Sequence, residues 1–264
     1  MAKNWWGSHP MPGEKAVCFI CGPLQLWLRS TADELWISFQ YNGGEETAQA
    51  APKHPAPALE ELDWRRWSLK QRYKEIQFVP VFPDLPVVVK PEYPFRVTRD
   101  VRTKIYVRVP LWVRILLGKT TIVEIPTVVL SKTWFGKFTN GELCYWISSA
   151  ARKNMEPDTT RPFLSICPIQ IINRSEDELL VEKICLRVEQ LTLFTFKNQL
   201  WANETKTSYR GRAEDSEIEF SPKPPPDAPS AKLVSTPRVV ATKSLTAKTF
   251  ASLKDLPGFG FLHR

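Results

Sequence analysis

The chain has 264 residues, a formal charge of +8, 43% hydrophobic side chains and 24% charged ones. That balance excludes a disordered polymer and a chain built of membrane helices, and the length suffices for one large core or two smaller ones. Twenty-three prolines against eleven glycines favour many short extended segments with proline at their edges.

Periodicity of two recurs along the chain, while periodicity of 3.6 is almost absent. The first region, 14–80, shows strand patterns at Ala16–Cys21, Leu24–Arg29 and Leu35–Tyr41, separated by Gly22-Pro23 and followed by Asn42-Gly43-Gly44. Residues 45–58 are rich in alanine and proline and predict an exposed loop. Leu59–Tyr73 is predicted as a short helix and Ile76–Val79 as a strand. The second region, 85–221, has strand patterns at Val87–Val89, Lys104–Val109, Ile122–Ile125, Thr127–Leu130, Leu143–Ile147, Ile166–Ile172, Leu179–Val188, Leu191–Phe196 and Glu217–Phe220. Turn signals fall at Gly118-Lys119, Asn140-Gly141 and Asn173–Asp177. The run PIQIINRSEDELLVEKICLRV reads as a strand, a polar turn and a strand returning antiparallel, like the closing strands of an immunoglobulin-like sandwich.

The last region, 222–264, begins with five prolines in eight residues, Pro222–Pro229, a semi-rigid linker unable to enter a sheet interior. It carries seven cations against Asp227 and Asp255, or +5, which leaves +3 on the first 221 residues. Weak alternation at Leu233–Val240 is followed by a short helix predicted over Ala247–Asp255. The pattern leaves open whether this segment packs on the rest. The expected fold is mainly β: an antiparallel β-sandwich with immunoglobulin-like closing strands, an additional N-terminal β region and few short helices.

Catalytic groups are scarce. His9, His54 and His263 fall near the ends or in the alanine-proline loop, away from predicted rigid elements that would orient a general base. No GxSxG or HExxH pattern occurs, and Gly118-Lys119-Thr120-Thr121 lacks the earlier glycine of a phosphate loop, with Val113 in its place. Cys18-Phe19-Ile20-Cys21 offers half of a zinc site, and Cys144, Cys167 and Cys185 are isolated in sequence. Neither a metal, a cofactor nor a catalytic residue is therefore expected.

Recognition is better supplied. LSKTWFGKFTNGELCYW, Leu130–Trp146, concentrates rings and cations around a turn signal and holds one carboxylate, Glu142. Lys132, Trp134, Glu142, Tyr145, Trp146 and Arg152 form the first candidate binding group, suited to an anion against an aromatic wall or to a protein contact, and a structural corner is the competing reading. Trp64-Arg65-Arg66-Trp67 is the second, since interleaved rings and guanidinium groups suit stacking on bases or closing an interface, with packing of arginine on tryptophan within the protein as the favoured competing reading. Trp27, Trp36, Trp112 and Trp146 fit strand cores, whereas Trp5, Trp6, Trp64, Trp67 and Trp134 are expected at exposed loops or strand ends.

The N-terminus MAKNWWGSHPMPGEKAV has no apolar stretch of signal-peptide length, and five irregularly spaced cysteines fit a reducing cytoplasm. The sequons at Asn173 and Asn203 would then carry no glycan. Val107–Ile125 is broken by Arg108, Pro110, Arg114, Lys119 and Glu124, so it is not a membrane span.

SKTWFG at Ser131–Gly136, GELCYW at Gly141–Trp146, Ala151-Arg152 and RPFLSICPIQIINRSEDELLVEKICLRVEQLTLF resemble a prokaryotic family catalogued as domain of unknown function number 432. GPLQLWLRSTADELWIS is similar to its opening strands, so the resemblance covers most of 14–210. Cys18 stands where the family pattern has a tryptophan. The resemblance implies no activity, but the occurrence of family genes beside small-conductance mechanosensitive channels implies a channel as partner at the inner face of the membrane. The expected function is thus a non-catalytic cytoplasmic binding or assembly module with a protein partner. The alternatives are nucleic-acid binding through Trp64–Trp67 and the basic tail, or an enzyme on a small anion using Glu142 and Lys132.

Overall fold

The computed structural model describes residues 5–42, 62–137, 139–155, 158, 160–211, 215–240 and 244–251. Its strands in chain order are β1 (Gly7–Pro10), β2 (Val17–Cys21), β3 (Leu24–Ser30), β4 (Glu34–Tyr41), β5 (Arg65–Ser68), β6 (Glu75–Val81), β7 (Val87–Pro91), β8 (Phe95–Val97), β9 (Arg102–Pro110), β10 (Trp112–Leu117), β11 (Thr120–Pro126) and β12 (Ser131–Phe135). They continue as β13 (Glu142–Ala151), β14 (Leu164–Asn173), β15 (Leu179–Val181), β16 (Lys183–Leu186), β17 (Leu193–Phe196), β18 (Gln199–Ala202), β19 (Thr205–Tyr209), β20 (Ser216–Phe220), β21 (Lys232–Ser235), β22 (Ser244–Ala247) and β23 (Phe250–Ala251). The protein is mainly β, with a 3-10 turn at Val188–Gln190 and no α-helix among the described residues.

The chain folds as two compact units. Unit 1 comprises Met1–Val81, Pro110–Val129 and Asp158–Phe163. It contains the sheets β1-β6-β10-β11 and β2-β3-β4-β5. Phe19 of β2 meets Phe78 of β6 edge to face at 5.0 Å, joining the two sheets in one core. Gly118, at φ +59°, makes the tight turn between β10 and β11, a backbone conformation that costs glycine little.

Unit 2 comprises Phe82–Val109, Leu130–Pro157 and Leu164–Arg264. Its five-stranded sheet has the order β12-β13-β7-β16-β23. A second sheet runs β21-β17-β18-β14-β19-β20-β22, with β9 also paired to β14, and β15 pairs with β8. Most pairings are antiparallel, but β13–β7, β14–β18 and β14–β19 are parallel. Val88, Phe135, Cys144, Cys185 and Ala251 form a buried cluster on one face of the five-stranded sheet.

Several local expectations are corrected. The helix predicted over Leu59–Tyr73 is strand β5 in its described part, because cross-strand pairing with β4 outweighs an ambiguous local pattern. Likewise the helix predicted over Ala247–Asp255 gives β22 and β23 as far as Ala251. Thr127–Leu130 is not a strand: the Thr127 hydroxyl donates to the Leu111 carbonyl within a bend. The strand β14 and the returning runs β15 and β16 do not pair with each other, but with strands distant in sequence. Trp5 and Trp6, expected at an exposed end, are buried against each other at 4.6 Å, with Trp5 also on Phe78. His9 sits on β1, where its ring packs on Phe19 and Phe78 and Nε2 lies 2.8 Å from the Trp5 carbonyl. The loop 45–58, His54 and His263 lie outside the described residues.

The described residues of 222–240 and 244–251 pack within unit 2. Ala228 is fully buried, and Asp227 takes hydrogen bonds from Lys104 Nζ at 2.5 Å and Tyr106 Oη at 2.8 Å. The Arg238 and Val239 amides donate to the Glu189 carbonyl. β21 and β22 add to the larger sheet and β23 to the five-stranded one.

Candidate functional site

The hairpin β12–β13 carries the first candidate group and forms one edge of its sheet. Its register pairs Ser131 with Trp146, Lys132 with Tyr145, Thr133 with Cys144, Trp134 with Leu143 and Phe135 with Glu142. The turn explains the residues that make this segment distinctive. Gly136 has φ +108°, where an L side chain is strained. A Cβ on Gly141 would collide with the Trp134 indole and approach the Phe135 carbonyl oxygen to 2.7 Å. The indole Nε1 donates to the Lys137 carbonyl at 3.1 Å, which fixes the ring across the turn.

Strand alternation separates the candidate residues onto two faces. Lys132, Trp134, Leu143 and Tyr145 share one face, and Glu142, Cys144 and Trp146 lie on the other with Thr133 and Phe135. On the first face Trp134 is 38% exposed and its partner Leu143 42%, and Lys132 is exposed beside them. Tyr145 donates its hydroxyl to Asp84 at 3.0 Å. Burial, aided by that carboxylate, pushes the phenol up to about 12, so Tyr145 acts as a neutral donor. Arg152 forms a backbone bridge with Tyr106 and an ion pair with Glu92 at 3.4 Å, outside the hairpin register.

The opposite face is polar at a buried level that the residue pattern does not announce. Arg187, 6% exposed in its side chain, makes a bidentate ion pair with Glu142 and reaches the Lys248 carbonyl at 3.4 Å. The thiols of Cys144 and Cys185 lie 3.8 Å apart. Lys90 and Lys183 each stand 5.5 Å from the centre of the Trp146 ring. Burial and the charge of Lys90 lower the Lys183 ammonium below its ordinary value. Arg187, Lys183, Lys90, Asp84 and the two cysteines were not candidates in the sequence. The available signal was the alternation Lys183, Cys185, Arg187 against Ile184, Leu186, Val188, a polar stripe along β16 and into the 3-10 turn that follows it.

The second candidate group lies in unit 1, on and beside β5. Register places Arg29, Trp36 and Arg66 in one row across β3, β4 and β5. Their guanidinium carbons lie 3.8 Å and 4.3 Å from the Trp36 ring centre. Arg66 also pairs with Glu34 at 2.7 Å, and Glu34 accepts from Trp36 Nε1 at 2.9 Å. Arg65 stands 5.0 Å from the Phe39 ring, and Trp64 meets Trp36 at 6.3 Å. Trp67 is half-buried opposite Leu35. The rings and cations of this group thus stack on their own sheet.

The chemistry these groups offer is contact: a fixed indole beside an aliphatic side chain and a lysine, on the strand that ends the sheet among the described residues. Residues 5–254 match the family model described as protein of unknown function (DUF432), and the chain belongs to that family. Comparison with curated proteins and with solved structures gave no match.

Proposed function

We propose that this member of the DUF432 family is a non-catalytic binding or assembly module that receives a protein partner on the outward face of β12–β13. The observation that carries this reading is the cross-strand pair Trp134–Leu143, two large apolar side chains left exposed at a sheet edge. Apolar exposure in one place, next to a cation, is how a contact surface differs from scattered surface residues. The Lys137 hydrogen bond and the Gly141 contact hold the indole in place before binding, so little ring freedom is lost on association. Tryptophan is also the side chain most enriched among energetically dominant contacts.

Among the described residues no helix is long and apolar enough to cross a membrane. The partner tested first is a mechanosensitive membrane channel, met by this protein at the inner face of the membrane. The full-length tagged protein is purified from its native host in mild detergent at low and high salt, as wild type and as Trp134→Ala. The expected result is a channel retained by the wild type at high salt and lost from the variant, whose circular dichroism is unchanged. Equal recovery with both proteins contradicts the hairpin as the contact surface, and nucleic acid recovered alone at low salt contradicts a protein partner.

A further inference from the structure

The CxxC of the sequence cannot chelate as written. Cys18 and Cys21 are three residues apart on one strand and point to opposite faces. Cys18 packs with Trp27 and Leu62, while Phe19, which shares the face of Cys21, meets His9 and Phe78. The two cysteines that are 41 residues apart, Cys144 and Cys185, are the ones whose sulfurs meet.

From this geometry we propose that Cys144, Cys185 and Glu142 bind one thiophilic divalent ion of the zinc class, with Arg187 as the charge-balancing neighbour. Donor atoms of the three residues all lie within 4.8 Å of one another. The sulfur separation of 3.8 Å equals the edge of a tetrahedron with metal–sulfur bonds of about 2.3 Å, also about 3.8 Å. A disulfide fits less well. It needs sulfurs about 2.05 Å apart, whereas these stand at 3.8 Å and both cysteines are free.

Among the two cysteines, Glu142, Arg187 and the ion, charge balances in both states. Without metal, Arg187 and Glu142 cancel, and Cys144 and Cys185 are two buried free thiols. Binding exchanges two thiol protons for one divalent ion: two S–H bonds break, two metal–sulfur bonds form, and two protons leave to solvent. The sum of Arg187, Glu142, two thiolates and the ion is again zero, which a buried location requires. Glu142 uses one lone pair for the metal while still accepting from Arg187, and its partly exposed side chain marks the side from which the ion enters.

The test uses the reduced, metal-free full-length protein, titrated with Cd2+ as an optical probe of thiolate ligation and with Zn2+ for proton release. The expected result is an ultraviolet sulfur-to-metal band saturating at one ion per chain, with two protons released per Zn2+ and a raised thermal midpoint. Cys144→Ala and Cys185→Ala each abolish the band, and Cys18→Ala retains it. No saturable band in the wild type overturns the proposal, as does a band that survives in both alanine variants or is lost with Cys18→Ala. Should the alanine variants not fold, proton release by the wild type decides: none overturns the site.

Discussion

Trp134 lies across Gly141 at the tip of the β12–β13 hairpin, in a space that only the missing Cβ leaves open. Gly141→Ala is therefore expected to lower stability by about 1–3 kcal/mol, as overpacking does. In a Trp134→Ala background the same change should cost roughly half as much or less, because the indole contacts are gone while the Phe135 carbonyl contact remains. Urea unfolding of the four proteins measures the coupling, and additive effects would mean that the ring does not rest on the turn.

The ion pair of Glu142 with Arg187 is asymmetric, since Arg187 is buried and the Glu142 side chain is 38% exposed. Glu142→Gln leaves an arginine charge inside the protein and is expected to cost about 2–4 kcal/mol. Arg187→Met leaves a carboxylate that reaches water, so about 1–2 kcal/mol is expected after allowing for screening. Denaturant midpoints of the two variants check the order, and a larger loss for Arg187→Met would contradict it.

Asp227 and Lys104 set a pH dependence. Burial works against the charged form of Asp227, but hydrogen bonds from Lys104 and Tyr106 hold its carboxyl below the ordinary value. Its stabilisation is present above the unfolded carboxylate range and is lost as pH falls through the depressed folded value. Burial lowers the Lys104 ammonium too, yet Asp227 and Glu204 raise it overall, so its share is present at neutral pH and fades as pH rises through that raised value. Asp227→Asn should flatten the acid limb of a thermal-midpoint profile, and an unchanged limb would remove this pair from the account.

Asn173 is buried, and its side chain makes four hydrogen bonds: Nδ2 donates to the Val97 and Asp177 carbonyls at 2.8 Å and 2.7 Å, and Oδ1 accepts from the Ser175 amide and hydroxyl. Asn173→Ala removes all four of these bonds inside the protein, although the Ser175 hydroxyl keeps the Asp177 carbonyl, with an expected loss of about 2–4 kcal/mol in chemical unfolding. A loss below about 0.5 kcal/mol, the range of surface substitutions, would contradict this role.

The sequence discloses strands where an alternating face is buried, as in Ile105, Val107 and Val109 of β9. It does not disclose β5, whose RRWS has no apolar alternation and becomes a strand through pairing with β4. The parallel partners of β14 are likewise set by chain distances that no local pattern encodes. For the candidate site, the motif marked the hairpin because its turn residues are local, but period-two alternation then divided Lys132, Trp134 and Tyr145 from Glu142 and Trp146. The pairing of Arg187 with Glu142 and of Cys144 with Cys185 is a product of tertiary register, visible only once β7 lies between β13 and β16.

The most direct test of a partner surface at the hairpin is photo-crosslinking in the native host from a benzophenone side chain placed at Lys132, beside Trp134. The same group at Lys206, exposed on β19, is the control. The expected result is one discrete protein adduct from position 132 that is absent from position 206 and disappears when Trp134→Ala is added. No adduct at position 132, or the same adducts from both positions, would contradict a partner surface on this face.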